Sequence, residues 1–148
     1  MKKNKTFGIL IYRVEYNNSK NVLNNKSKIE FLFLKASYEF LFYKGLHEEN
    51  ENGLETAMRE TFEETGLNKD KYKLLNFEKT LIYNVKDKTK ETTYYLAGLL
   101  NNDENIKLSD EHTDFKWIHS NESDVYSLPD SFAELMKSAE EFIRKIGK

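Results

Sequence analysis

The residues best placed to do chemistry lie in one stretch, GLHEENENGLETAMRETFEETGL, running from Gly45 to Leu67. With helical spacing, Glu60 and Glu64 stand at i and i+4, and Glu63 at i+3 from Glu60, so three carboxylates project from one sector. Such a row repels itself unless something cationic sits among it. A hard divalent ion is the usual answer: Mg²⁺ takes carboxylate oxygens, keeps several waters and bridges to substrate phosphates. Arg59, four residues before Glu63, has the geometry to fix a carboxylate by paired hydrogen bonds. Glu51, just ahead of the helix, is within reach of the same arginine or of the helix N-terminus. The plainer reading of acidic residues opposite an apolar stripe is a solvated helix face, and only spacing over a longer stretch decides against it.

Several elements must hold this row. At about 100° per residue, Leu54, Ala57, Met58, Thr61, Phe62 and Thr65 share one face, which predicts a helix over Gly53 to Thr65. Gly66 then stands where a helix ends in a left-handed glycine, with Leu67 placed for the accompanying apolar contact. Phe7 to Tyr16 and Ile29 to Ala36, rich in β-branched and aromatic residues, read as a hairpin with a long polar connection, Asn17 to Lys28, whose tip reads as disordered. A short aromatic run, Phe40 to Tyr43, precedes Lys44-Gly45. Tyr72 to Val85 and Thr92 to Leu100 read as strands joined by a lysine-rich turn, Lys86 to Lys90, and Asp114 to Ile118 as a short strand. Ser131 to Ile146 reads as an amphipathic helix burying Phe132, Leu135, Met136, Ala139, Phe142, Ile143 and Ile146. Pro129 lies where a helix start tolerates one.

The 148 residues, 39% hydrophobic and 14% aromatic, suffice for one domain with one core, and residues 1–148 show no repeat or linker. A net charge of −2 excludes a globally basic nucleic-acid binder. The absence of cysteine excludes disulfides, thiolate metal sites and a cysteine nucleophile. His47, His112 and His119 have no metal-ligand spacing. No apolar stretch approaches the roughly 20 residues that span a bilayer, so the chain is expected to be soluble and cytoplasmic.

Gly45, Glu51, Arg59, Glu60, Glu63, Glu64, Gly66 and Leu67 match G-x5-E-x7-R-E-U-x-E-E-x-G-U at every fixed position. That pattern is the Nudix box, and the chain resembles the Nudix hydrolases; Thr61 stands where the box prefers an aliphatic residue of the same shape. The segments FGILIYR, IEFLFLKAS, LIYNVKDKTKETTYYLA and LSDEHTDFKWI extend the likeness to the asymmetric diadenosine tetraphosphate hydrolases within that superfamily.

The resemblance implies an α/β Nudix fold, an α/β/α sandwich around a mixed β-sheet. It implies a monomer that cuts a dinucleoside polyphosphate, diadenosine tetraphosphate, to ATP and AMP by water attack on phosphorus. Mg²⁺ is the implied cofactor, with Mn²⁺ as a substitute, and neither a membrane nor a nucleic acid is an implied partner. Carried over position by position, Glu60 and Glu64 are metal ligands, one of them able to act as base. Glu63 is a further ligand or the partner of Arg59, and the Gly45 carbonyl completes the shell. Glu111, in Ser109-Asp-Glu-His112, supports a metal or the attacking water. Tyr83 and Lys90 match positions that hold an adenine and the phosphate chain. Lys44, just before the box glycine, is a further phosphate contact, and Lys86 and Lys88 lie nearby, although a solvated turn lysine is the commoner state. The family's His-Trp-Thr-Pro-Pro-type segment is replaced by Glu39-Phe-Leu-Phe-Tyr43, and its Pro-Gly by Glu49-Asn50, where asparagine can take the left-handed conformation. The same resemblance admits an RNA 5′ end or a diphosphoinositol phosphate as substrate, or a nucleotide-sensing module of low activity.

Overall fold

Alternation along the first strand sets the layers. In the computed structural model, which describes residues 4–16, 23–24, 27–36, 39–42, 44–46 and 48–146, β1 spans Asn4–Glu15. Ile9 and Ile11 turn to one face of it, Leu10 and Val14 to the other. The remaining strands are β2 (Lys28–Ala36), β3 (Glu39–Leu41), β4 (Gly45–Leu46), β5 (Tyr72–Val85), β6 (Lys88–Leu99) and β7 (Asp114–His119), with helices α1 (Gly53–Thr65) and α2 (Asp130–Ile146). The sheet runs β3-β2-β1-β6-β5, with β4 also paired to β1 and β7 to β2. The β1–β6 pairing is parallel and the others antiparallel, so the sheet is mixed.

Each face is covered by one helix. Ala57 of α1 packs with Ile9, Ile11, Leu32, Leu34 and Ala97. Leu135, Met136, Ala139 and Ile143 of α2 pack with Leu10, Phe31, Phe33, Tyr94 and Leu96. This is the expected α/β/α sandwich. Among the described residues no helix is long and apolar enough to cross a membrane.

The helix α1 keeps the bounds its periodicity predicts, and α2 begins one residue earlier, at Asp130. Two apolar stripes are narrower than the sequence suggests. Phe62 is 54% exposed because it lies at the margin of its helix's buried arc, and Ile146 is 51% exposed because it is the last residue of α2. The turn between β5 and β6 is also shorter than Lys86 to Lys90. Only Lys86 and Asp87 form it, both at positive φ (47° and 63°), and a two-residue hairpin turn of that kind follows the twist of its strands. The tip of the connection after β1, together with Tyr43 and His47, lies outside the described residues.

Candidate active site

The carboxylate helix is fixed at both ends by its own sequence. Asn52 caps it, its side chain accepting from Glu55 N at 2.8 Å, while Glu55 accepts from Asn52 N at 2.9 Å. This reciprocal pair satisfies donors that an isolated helix start leaves open. Just ahead, Asn50 takes φ 69°, the left-handed geometry expected for the place of a glycine. At the other end Gly66 sits at φ 77° and donates to Phe62 O at 2.9 Å, and Leu67 is 1% exposed. Thr61 is buried, and its hydroxyl donates to Ala57 O at 2.7 Å, so the polar atom in an aliphatic place is satisfied.

Arg59 organises what the helix displays. Its Nε donates to Glu51 Oε2 at 2.7 Å and its second terminal nitrogen to Glu51 Oε1 at 3.2 Å, a bidentate pair. The other terminal nitrogen reaches Glu60 Oε1 and Glu63 Oε1, both at 3.0 Å. A further bond to Leu46 O at 3.0 Å ties β4 to the helix. Hydrogen bonding from Arg59 is the main reason the Glu51 carboxyl is lowered to about 2; Glu48 N and the Thr56 hydroxyl help. The same contacts raise the arginine's pKa, so it stays charged. Glu60 shifts the other way: burial pushes its carboxyl up first, the neighbouring Glu63 charge adds to this, and Arg59 offsets only part.

Gly45 meets Glu60 directly. A Cβ added to Gly45 would overlap the Glu60 carboxylate carbon and Oε1, so only glycine admits that carboxylate against the β4 backbone. Glu64, 8% exposed, is held from elsewhere: Ser109 Oγ donates to its Oε2 at 2.7 Å, and His112 Nδ1 lies 2.8 Å from the same atom. Glu111, next to His112 in the chain, is exposed. Among the described residues, no three histidine or carboxylate side chains are gathered on a common point. Glu60 and Glu63 turn to Arg59, and Glu64 to His112. The donor set nonetheless fits a hard divalent cation: every candidate atom is oxygen, and Glu60 is a half-buried carboxylate that further positive charge would stabilise.

Beside Gly45, Lys44 crosses to the β5–β6 hairpin. Its Nζ donates to Tyr83 OH at 2.6 Å and stands 5.2 Å from that ring's centroid. Burial works to raise the Tyr83 phenol's pKa, but the hydrogen bond from Lys44, with Thr92 and Lys90 nearby, outweighs it and the net shift is downward. Tyr83 and Lys90 are direct cross-strand partners. With Lys44, Thr6 and Leu46 they line a cavity of about 230 Å³. A larger one of about 480 Å³ shares Lys44 and Tyr83 and is walled by Leu81, Ile82, Pro129 and Phe132. A third, about 470 Å³, around Tyr12, Tyr16 and Lys73, shares no residue with either.

The structure therefore brings Gly45, Arg59, Glu60 and Glu63 together, and separately Lys44, Tyr83 and Lys90. Lys86 stands at the hairpin tip and lines neither of the cavities at Tyr83. Ser109, His112, Thr92 and Phe132 are neighbours of these groups that motif reading passes over. The pairing of Ser109 and His112 in one turn was the available signal, since both flank Glu111.

The NUDIX domain family model matches residues 5–141. The asymmetrical bis(5′-nucleosyl)-tetraphosphatase of Rattus norvegicus is 38% identical over 103 residues, spanning 67% of this chain and 70% of its own. The Caenorhabditis elegans enzyme of that name is 36% identical over 117 residues, 76% and 77% of the two chains. A solved C. elegans Ap4A hydrolase binary complex superposes with a TM-score of 0.78 at 31% identity, covering 95% of this chain and 97% of that one. The MutT protein from Methanosarcina mazei Go1 shares the fold, with a TM-score of 0.71 at 19% identity over 96% of each. The chain belongs to the Nudix family. It is a hydrolase acting on phosphoanhydride bonds.

Proposed function

We propose that this protein hydrolyses diadenosine tetraphosphate to ATP and AMP with Mg²⁺ as cofactor. The observation that carries the reading is the adjacency of Lys44 and Gly45. It sets a lysine–tyrosine pair on the hairpin cavity beside the backbone that touches Glu60. The relatives named as tetraphosphatases, at 36–38% identity, support the same substrate class.

Lys44 and Lys90 offset the charge of the polyphosphate along the cavity they line. Tyr83 offers its ring to an adenine, a stacking contact worth about 1–3 kcal/mol. Glu60, Glu63, Glu64 and the Gly45 carbonyl would hold the divalent cation, which when bound neutralises phosphate charge and lowers the pKa of the attacking water. Arg59 holds Glu60 and Glu63 in place and keeps β4 against the helix. One of Glu60 and Glu64 takes the proton from water as its oxygen bonds to phosphorus, with Glu111 in support. The bridging P–O bond breaks, and no covalent enzyme intermediate forms.

Glu60→Gln and Glu64→Gln test this reading. Each is expected to abolish turnover while leaving the fold and much of the nucleotide affinity intact. Near wild-type rates in both variants would rule the carboxylate-helix mechanism out.

A further inference from the structure

Ser109 and His112 are not among the groups that would meet the substrate or the cation, yet both reach the same oxygen of Glu64, at 2.7 and 2.8 Å. Neither contact is a loose surface meeting: Glu64 is 8% exposed and the His112 side chain 13%. An ionised carboxylate only accepts, so the hydrogen of the His112 contact is on Nδ1. A turn closed by His112 N donating to Ser109 O at 3.2 Å brings the two side chains to one place.

The rest of that loop is anchored elsewhere. Lys107 N donates to Thr65 O at 2.8 Å, at the end of α1, and Thr113 N donates to Lys35 O at 3.0 Å, on β2. Gly66 has Lys107 close by, a Cβ there meeting the lysine's own Cβ at 3.0 Å. Between these two anchors, the bonds from the loop to the helix recorded among the described residues are those of Ser109 and His112 to Glu64. Glu111 lies within this span.

We propose that Ser109 and His112 are positioning residues for the metal-binding helix. They hold Oε2 of Glu64, which fixes the plane of its carboxylate and reserves Oε1 for the cation. Through the same contact they set the Glu111 loop on the helix, so two carboxylates contributed by distant parts of the chain are placed by one latch. The inference rests on the metal role proposed for Glu64 and extends it. Hydrogen-bond partners of metal ligands orient those ligands, and their loss typically costs 10–100-fold in affinity or activity.

The test is a Mn²⁺ titration of the full chain by electron paramagnetic resonance, run beside thermal melting and steady-state kinetics. His112→Phe keeps the ring and removes the donor. It is expected to weaken Mn²⁺ binding about 10-fold and lower kcat alike, with KM for the dinucleotide unchanged. His112→Asn, whose amide nitrogen takes the place of Nδ1, is expected to recover most of the loss. His112→Gln, whose amide nitrogen lies nearer the place of Nε2, is not. Ser109→Ala should show a smaller loss in the same direction. Adding Glu111→Gln to His112→Phe should cost less than the product of the two single effects, because both act through one loop. Wild-type Mn²⁺ affinity in a folded His112→Phe protein would overturn the proposal, as would equal behaviour of the Asn and Gln variants. A wild-type protein that binds Mn²⁺ but leaves diadenosine tetraphosphate uncut would refute the substrate while this series still decides the latch. A wild-type protein that binds no Mn²⁺ would overturn the latch together with the metal reading.

Discussion

Gly45→Ala is the sharpest single perturbation of the site. The glycine lies in β4 opposite Phe7, in ordinary backbone geometry, so alanine meets no left-handed strain there. At a compatible site the change gains about 0.4–1 kcal/mol by restricting the unfolded chain. The added methyl, however, falls on the end of the Glu60 side chain, whose Cγ, Cδ and Oε1 are its nearest neighbours. The α1 backbone is pinned by its capping box and by Arg59, so the Glu60 carboxylate gives way instead. Ordinary contact distances require it to retreat by about 1.5 Å, and a displacement of even about 1 Å in a catalytic array costs roughly 10²-fold. This corresponds to about 2.7 kcal/mol of barrier. Lys44, Tyr83 and Lys90 are untouched, so the loss belongs in kcat rather than in KM for the nucleotide. The assay is initial-rate chromatography of products at saturating Mg²⁺, alongside a melting curve. A folded variant with kcat within about threefold of wild type would refute the reasoning. A fall in Tm of more than about 5 °C would also refute it, by showing backbone rather than side-chain damage.

Lys44→Met should raise the Tyr83 phenol's titration, since the hydrogen bond that outweighs burial is gone; tyrosinate absorbance with a Tyr83→Phe control reads it. Tyr72 is 4% exposed with a hydroxyl that has no partner among the described residues, so Tyr72→Phe should be neutral or stabilising by about 1 kcal/mol in denaturant melts. The Glu51 carboxyl is lowered from an ordinary 4.5 to about 2 in the fold, so its ion pair stabilises fully above pH 4.5 and is lost as pH falls towards 2. Glu51→Gln should flatten stability across that window, measured by urea unfolding at stepped pH.

Local chemistry was legible in the sequence where one residue type has one use. The helix from Gly53 to Thr65 and the left-handed Gly66 follow from spacing and backbone preference, and the left-handed Asn50 from its standing where the resembled family has a glycine. The sequence makes the Lys86-Asp87 turn look longer than it is because lysines 88 and 90 resemble turn residues, although cross-strand pairing keeps them in β6. β3 and β4, of three and two residues, are too short for any periodicity; their partners β2 and β1 define them. Phe62 and Ile146 match an apolar stripe in one dimension, and packing leaves them out, Phe62 at the edge of its buried arc and Ile146 at the end of α2. At the site, Arg59 with Glu51 and Glu63 could be paired on paper because all lie within one short stretch. The hold of Ser109 and His112 on Glu64 joins residues 45 and 48 apart in the chain, and its one local sign is that the two stand on either side of Glu111.

The measurement closest to the central claim is product analysis after pure protein is incubated with diadenosine tetraphosphate, with Mg²⁺ and with chelator. Equal amounts of ATP and AMP, formed only with the metal, are the predicted result. Two molecules of ADP per substrate, metal-independent cleavage, or no turnover with Mg²⁺ would contradict the account.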